Sequence, residues 1–406
     1  MFRNILTKLI LNCEFLILLF VFIFNYGMDF LDYNFDTIGF YFAIILGIIV
    51  IFQIFYYLIV YGRVAFFKEN KSKTNDNTNF FPSVSVVMCV KDDAYNLEKT
   101  LPIILEQEYP NFEVVVVNDA SKDETEYVLR VLQEIYPNLN VVNLFKNVNG
   151  FLGKKYPLSL GIKSAKNEII LFTESDTKPQ NYNWISSMVK GFQANKEIVL
   201  GFTNFVQKPT FLSTLMQYEN QTLAMNFLGN AILNNPYMGQ GRNLAYKKEF
   251  FFDSGGFISQ YNVSVGEDDL FINKNANSKN TTVILNKESI NLSSPKEKTE
   301  EWIIQKKRHF KSLSHFKLKD RLISTIIPFT TFLIYVLLIL SILFQFPWQY
   351  IVMALVLKYT IQIIIYYKSS KTLGTKQVAF ISPFLEVLFL LINTTIRFFT
   401  LFTKKI

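Results

Sequence analysis

Ser83-Val-Ser-Val-Val-Met-Cys-Val90 runs into Lys91-Asp92-Asp93, Phe112-Glu-Val-Val-Val-Val117 into Asn118-Asp119-Ala120-Ser121, and Glu168-Ile-Ile-Leu-Phe-Thr173 into Glu174-Ser175-Asp176. Each run reads as a buried strand, and each delivers acidic groups at its carboxyl end. An open α/β sheet binds its ligand there. Carboxylates two apart after a strand, as in Glu174-Ser175-Asp176, share one face. They suit a hard cation such as Mg²⁺ or Mn²⁺ together with substrate phosphate oxygens. The pattern points to a metal-dependent, nucleotide-binding enzyme.

Outward from these strands the chain alternates. Strands are expected at 83–90, 112–118, 139–144, 168–173 and 197–203, and helices at 96–107, 123–135, 154–165 and 181–194. Alternation of this kind implies a parallel sheet with right-handed crossovers. Beyond it lie an apolar-rich helix at 211–228, Gly-rich loops, and a basic, aromatic stretch at 301–320 that reads as a helix on a membrane surface.

The 406 residues are half hydrophobic and include 41 Phe. The apolar excess sits at the two ends, in 9–27, 38–61, 322–346, 348–367 and 379–402. The three C-terminal stretches are broken only by Lys358, Glu386 and Arg397. About 20 apolar residues cross a bilayer as a helix. The first stretch reads as an uncleaved anchor, because no small-residue cleavage site follows and a second span comes at once. The expected organisation is two membrane helices in 1–67, a linker in 68–81, an α/β domain in 82–300, an interfacial amphipathic helix in 301–320 and about three membrane segments in 321–406.

Net charge is +8. Arg3, Lys8, Arg63, Lys68, Lys71 and Lys73 flank the first two spans, and Asp29, Asp32 and Asp36 lie between them. The positive-inside rule then puts the central domain in the cytoplasm of a multi-pass inner-membrane protein. No basic–aromatic motif supports nucleic-acid binding. The two cysteines, Cys13 and Cys89, make neither a metal motif nor a plausible cytoplasmic disulfide.

Several residues carry two readings each. Asp93 and Asp119 can bind a nucleoside or cap a helix. Lys154, in Gly153-Lys154-Lys155, can neutralise a phosphate at a helix N-terminus or form a solvated basic turn. Glu267, Asp268 and Asp269 crowd like charges that can leave one carboxylate able to take a proton, or they mark an acidic helix start. Trp302, Gln305, Arg308 and His309 can line a sugar and phosphate site or form a snorkelling interfacial helix.

Taken together, in this order and between these spans, the motifs over about 83–310 resemble the family-2 glycosyltransferases, inverting enzymes of GT-A fold. The resemblance implies an α/β, Rossmann-like mixed-sheet domain of the nucleotide-diphospho-sugar transferase type, flanked by transmembrane helices. It implies a nucleotide-sugar donor, commonly UDP-linked, with the nucleotide on Asp93 and Asp119. It puts the D-x-D metal motif on Glu174-Ser175-Asp176, with Asp176 the metal ligand, and the catalytic base within Glu267-Asp268-Asp269, first of all Asp268. Gln305-Lys-Lys-Arg-His309 stands where the membrane branch of the family, similar to hyaluronan and poly-N-acetylglucosamine synthases and ceramide glucosyltransferases, has Q-x-x-R-W. Gly239-Gln-Gly-Arg242-Asn-Leu-Ala-Tyr246 resembles a family segment near the acceptor. The expected activity is transfer of a sugar to a lipid, lipid-linked or glycan acceptor in cell-envelope glycan synthesis. One alternative is a processive polysaccharide synthase that exports its product. Another is a non-catalytic transport or assembly subunit, against which the spans show no paired polar residues.

Overall fold

The computed structural model describes residues 37–68, 81–145, 153–193, 196–344 and 347–402. The expected first span, 9–27, and most of the 68–81 linker lie outside them. Among the described residues, β1 (Val84–Val90), β2 (Phe112–Asp119), β3 (Leu139–Leu144), β4 (Ile169–Phe172), β6 (Ile198–Leu200), β8 (Leu244–Lys247) and β9 (Thr281–Val283) form a sheet of order β3-β2-β1-β4-β8-β6-β9. A small sheet joins β5 (Thr177–Pro179), β10 (Asn291–Ser293) and β7 (Thr203–Phe205).

Alternation predicts a parallel sheet, and it holds for β3-β2-β1-β4. β8 then enters antiparallel to both β4 and β6, so the whole is mixed. The expected strand at 197–203 splits in two, β6 in the large sheet and β7 in the small one. Runs of three residues carry too little periodicity to be placed by pattern.

All seven residues of β1 are buried. Successive side chains of a strand point to opposite faces, and the core divides accordingly. Val84, Val86, Met88 and Val90 pack with Leu97, Leu101 and Leu129, from α3 (Ala94–Leu105) and α4 (Thr125–Ile135), and with Trp184 from α6 (Trp184–Val189). Val87 and Cys89 face Leu158 and Ile162 of α5 (Lys155–Ser164). Each fully buried Val or Leu contributes about 1.5–3 kcal/mol.

The second core does not stop at the domain. It continues through α7 (Phe211–Ile232) to Tyr57, Tyr61 and Val64 and to Tyr366 and Phe389. These belong to the apolar helices. Three of them, Gly39–Ala65, Leu318–Leu343 and Trp348–Leu373, are long and apolar enough to cross a membrane. The first comprises α1 (Thr37–Tyr56), a π-helical turn at Tyr57–Tyr61 and α2 (Gly62–Ala65); the others are α11 and α12. α13 (Ser382–Phe402) packs beside α12 and against α10 (Thr299–Leu313). α8 is Lys248–Asp253 and α9 is Glu267–Asn275.

Two expectations change here. The stretch 301–320 is not one helix, because α10 ends at Leu313 and α11 begins at Leu318. The apolar helices also hold a paired polar cluster that the sequence reading lacked. Lys358 Nζ meets Glu386 Oε2 at 2.5 Å, and Thr331 donates to Glu386 Oε1 at 2.9 Å. Gln53 donates to Thr330 and Thr331 at 2.8 and 3.0 Å. Lys358 is fully buried, and its partner lies 28 residues away on another helix.

Candidate active site

β1 and β4 are neighbours, with β2 and β3 on one side and β8, β6 and β9 on the other. The strand order reverses between them, which opens a crevice at their carboxyl ends. A hydrogen bond spans it: Ser175 Oγ, after β4, donates to Asp93 Oδ2, after β1, at 2.5 Å. Asp93 stands at the cap position of α3, but its carboxylate bonds no helix backbone and takes Asn96 Nδ2 at 2.7 Å instead. The capping bonds come from Asp123, which accepts from the Ala94 and Thr125 amides. Asp119 ends β2 and lies 3.5 Å from Lys91 Nζ. Both carboxylates are therefore free of helix-cap duty.

Glu174 is gripped from both sides. Lys154 Nζ reaches Oε1 at 2.9 Å, and Arg242 Nε reaches Oε2 at 2.8 Å. Burial opposes its charge, but the two cations outweigh burial and hold its carboxyl well below the usual range. Arg242 also extends to Asp176, Nη2 to Oδ2 at 3.4 Å, and Lys296 lies 3.6 Å from the same oxygen. The other oxygen of Asp176 accepts from Thr177 and Ser293 at 3.0 and 3.2 Å. The small sheet thus places Asp176, since Ser293 belongs to β10 and Thr177 opens β5.

Glu267, Asp268 and Asp269 form the first turn of α9, so the helix-start reading holds, and it is compatible with a catalytic one. Gly266 enters it at φ 72°, a left-handed conformation open to glycine. Burial, then the charges of Glu267, Asp269 and Glu174, push the Asp268 carboxyl well above its ordinary value, against the opposing pull of Lys154. Burial, then Glu267, push Asp269 up to about 7. Cys89, free and buried in β1, is pushed up to about 12 by burial, with Asp119, Glu267 and Glu174 acting in the same direction.

α10 brings some of its candidates here and not others. His309 Nδ1 lies 3.9 Å from Asp269 Oδ2, and Ser312 donates to that oxygen at 3.4 Å. Burial, with Lys306 and Arg397, pushes His309 down to about 4 over the opposing pull of Glu219, so at neutral pH this is a contact of a neutral imidazole and not an ion pair. Gln305 Oε1 and Glu267 Oε2 are buried without a hydrogen-bond partner among the described residues. Arg308 is exposed. Trp302 is buried, edge-on to Phe389, and its Nε1 donates to Glu219 Oε2 at 2.9 Å. It fastens α10 to α7.

Four residues escaped the sequence reading. Lys155 donates to the Val263 and Val265 carbonyls at 2.6 and 2.9 Å, tying the loop before α9 to the start of α5. Asn243, fully buried, donates to the Phe202 and Ser289 carbonyls and accepts from Trp184 Nε1 at 3.1 Å, which fixes the loop that carries Arg242. Glu219 receives both Trp302 and Lys306. Lys296 faces Asp176. The lysine doublet at 154–155 and the Gly239–Tyr246 segment around Asn243 were the only local signals for any of them.

Among the described residues no group of three or more His, Cys, Asp or Glu is arranged to hold a metal ion, and the carboxylates after β4 leave a divalent cation one candidate donor. Both oxygens of Glu174 are taken by bonds of 2.8–2.9 Å. Asp176 Oδ2 faces the longer contacts at 3.4 and 3.6 Å, so of the two carboxylates it is the less firmly held.

Residues 85–259 match the family described as Glycosyl transferase family 2. A dolichyl-phosphate beta-glucosyltransferase of Trichomonas vaginalis is 30% identical over 158 residues, 34% of this chain and 47% of that protein. A glycosyltransferase of Haloferax volcanii is 28% identical over 110 residues, 27% of this chain and 34% of that protein. The match therefore spans less than half of either relative. The solved structure of a mannosyltransferase from Pyrobaculum calidifontis, in complex with GDP-Man and Mn²⁺, superposes with a TM-score of 0.55 at 19% identity, covering 86% of this chain and 98% of that one. The fold is thus of the GT-A type.

Proposed function

We propose that this chain, which carries a family 2 glycosyltransferase domain beside helices long and apolar enough to cross a membrane, moves a sugar from a nucleotide-sugar donor to a lipid, lipid-linked or glycan acceptor, with inversion at the anomeric carbon. The carrying observation is the convergence of Lys154, Glu174, Asp176 and Arg242 beside the half-buried Asp268. The acceptor class draws support from the relative named for dolichyl phosphate and from the core shared by domain and spans. The bias of Lys and Arg around the first two spans supports a cytoplasmic domain and an inner-membrane location.

Asp268 takes the proton from the acceptor hydroxyl. The acceptor oxygen attacks the anomeric carbon, the bond from that carbon to the diphosphate oxygen breaks, and the diphosphate leaves with the bonding pair. Lys154 and Arg242 are placed to bind its oxygens, Arg242 through a planar fork. Asp176 would hold a Mg²⁺ or Mn²⁺, which when bound neutralises charge on the leaving diphosphate. Asp93 and Asp119, clear of helix caps, are assigned to the nucleoside.

The test is transfer by purified protein in lipid nanodiscs, across UDP- and GDP-linked sugars and with polyprenyl phosphate among the acceptors. Transfer that Asp176→Ala abolishes in a folded protein is the expected result. Absence of both donor hydrolysis and transfer across the panel, or full turnover in Asp176→Ala, overturns the reading.

A further inference from the structure

We propose that Arg242 is a resident cation that holds Glu174 and Asp176 until a diphosphate arrives, so that the divalent metal binds tightly only together with the donor. The inference rests on the glycosyltransferase reading above and concerns the order in which the site fills. Two carboxylates face three cations: Lys154 and Arg242 on Glu174, and Arg242 and Lys296 on Asp176. Asp268 also lies in the field of Arg242, Lys154 and Glu174, so net charge does not exclude a dication; occupancy does, because a metal must displace the cations already on the Glu174 and Asp176 oxygens. A diphosphate offers those cations other oxygens.

The geometry lets the guanidinium move while its backbone stays. The Arg242 carbonyl accepts from Asn291 Nδ2 at 3.1 Å, and the neighbouring Asn243 is locked by three hydrogen bonds. The side chain keeps 18% of its accessible surface, and the contact to Asp176 is the looser of its two, 3.4 Å against 2.8 Å. A fork that turns from carboxylate to phosphate oxygens keeps the same bidentate chemistry. It leaves Asp176 Oδ2 open at the moment the metal has diphosphate oxygens to share. Linkage requires the coupling to be reciprocal, so metal and diphosphate each tighten the other.

The probe is Mn²⁺ alone, followed by water-proton relaxation on the full chain in nanodiscs without donor. Wild type should bind it weakly. Arg242→Gln should bind about tenfold tighter, because an elementary charge a few ångströms from the metal is removed. Arg242→Lys, which keeps the charge, should stay within about threefold of wild type, and Lys296→Gln should tighten binding by about two- to threefold. Adding Asp176→Asn to Arg242→Gln should return binding to the weak level. Arg242→Gln that binds Mn²⁺ no tighter than wild type, or a double variant that stays tight, overturns the proposal. Should Arg242→Gln not fold, Lys296→Gln decides alone, and unchanged Mn²⁺ affinity in it overturns the proposal. Binding of UDP and GDP, read by saturation-transfer NMR, separates the two readings. If neither binds, the glycosyltransferase reading fails while the Mn²⁺ series still decides the role of Arg242.

Discussion

Gly241 lies directly against the carboxylate of Asp268: a Cβ added at Gly241 would meet Asp268 Oδ2 at 2.0 Å. Backbone and carboxylate approach there as only glycine permits. The loop that carries Arg242 therefore also sets the position of the proposed base. Gly241→Ala should lower kcat by about 100-fold or more, since a displacement of about 1 Å in a reacting group costs on that order. Circular dichroism should show the fold retained. Near-normal turnover in this variant would show that the Asp268 position is immaterial.

Asp268→Asn removes the base and keeps its shape. General-base catalysis contributes roughly 100- to 10,000-fold, so kcat should fall by that range while the directly measured donor Kd stays nearly unchanged. The reactive form of Asp268 is the carboxylate, and burial beside Glu267 and Asp269 raises its pKa. Activity should therefore fall as pH drops through that raised value, well above the ordinary carboxylate range. Asp269→Asn removes one neighbouring negative charge and should shift this acidic limb to lower pH. A pH–kcat profile that does not move in Asp269→Asn counts against Asp268 as the titrating base.

Glu219 joins α7 to α10 by accepting from Trp302 Nε1 and pairing with Lys306, whose side chain is only 4% exposed. Glu219→Ala strands a buried ammonium. Breaking a buried pair costs 3–5 kcal/mol, and since the Glu219 side chain is 31% accessible, a loss of about 2–3 kcal/mol is expected. Denaturant or thermal unfolding in detergent should show it. Glu219→Gln, which keeps the acceptor for Trp302, should lose less than Glu219→Ala.

Lys358 and Glu386 test whether the packing of the apolar helices depends on their ion pair. Either neutralised alone leaves the other uncompensated among apolar helices, so Lys358→Met or Glu386→Gln should each destabilise strongly. Lys358→Met combined with Glu386→Leu should recover much of the loss, because burying the pair itself costs desolvation. A double variant as unstable as the sum of the single ones would show that each residue acts through its other partners, such as Thr331.

Sequence alone determined the strands of the parallel half. β1, β2 and β4 are continuous apolar runs because both faces of a central strand are buried, and a run of that kind is visible without partners. The carboxylates after each strand, and the apolar lengths of Gly39–Ala65, Leu318–Leu343 and Trp348–Leu373, were legible for the same local reason. Tertiary structure decided the rest. β8 and the three-residue strands of the small sheet have too few residues for a period, and only pairing places them. Arg242 stands 68 residues from Glu174 and Lys155 stands 110 from Val265, so nothing near either residue in the chain announces its partner. Trp302 shows the limit from the other side: its sequence neighbourhood suggests a sugar site, and packing against Phe389 with a bond to Glu219 makes it a fastening between helices. A carboxylate can be read as an acid from sequence, but whether it holds a cation, a proton or a helix depends on which distant charges the fold brings within a few ångströms.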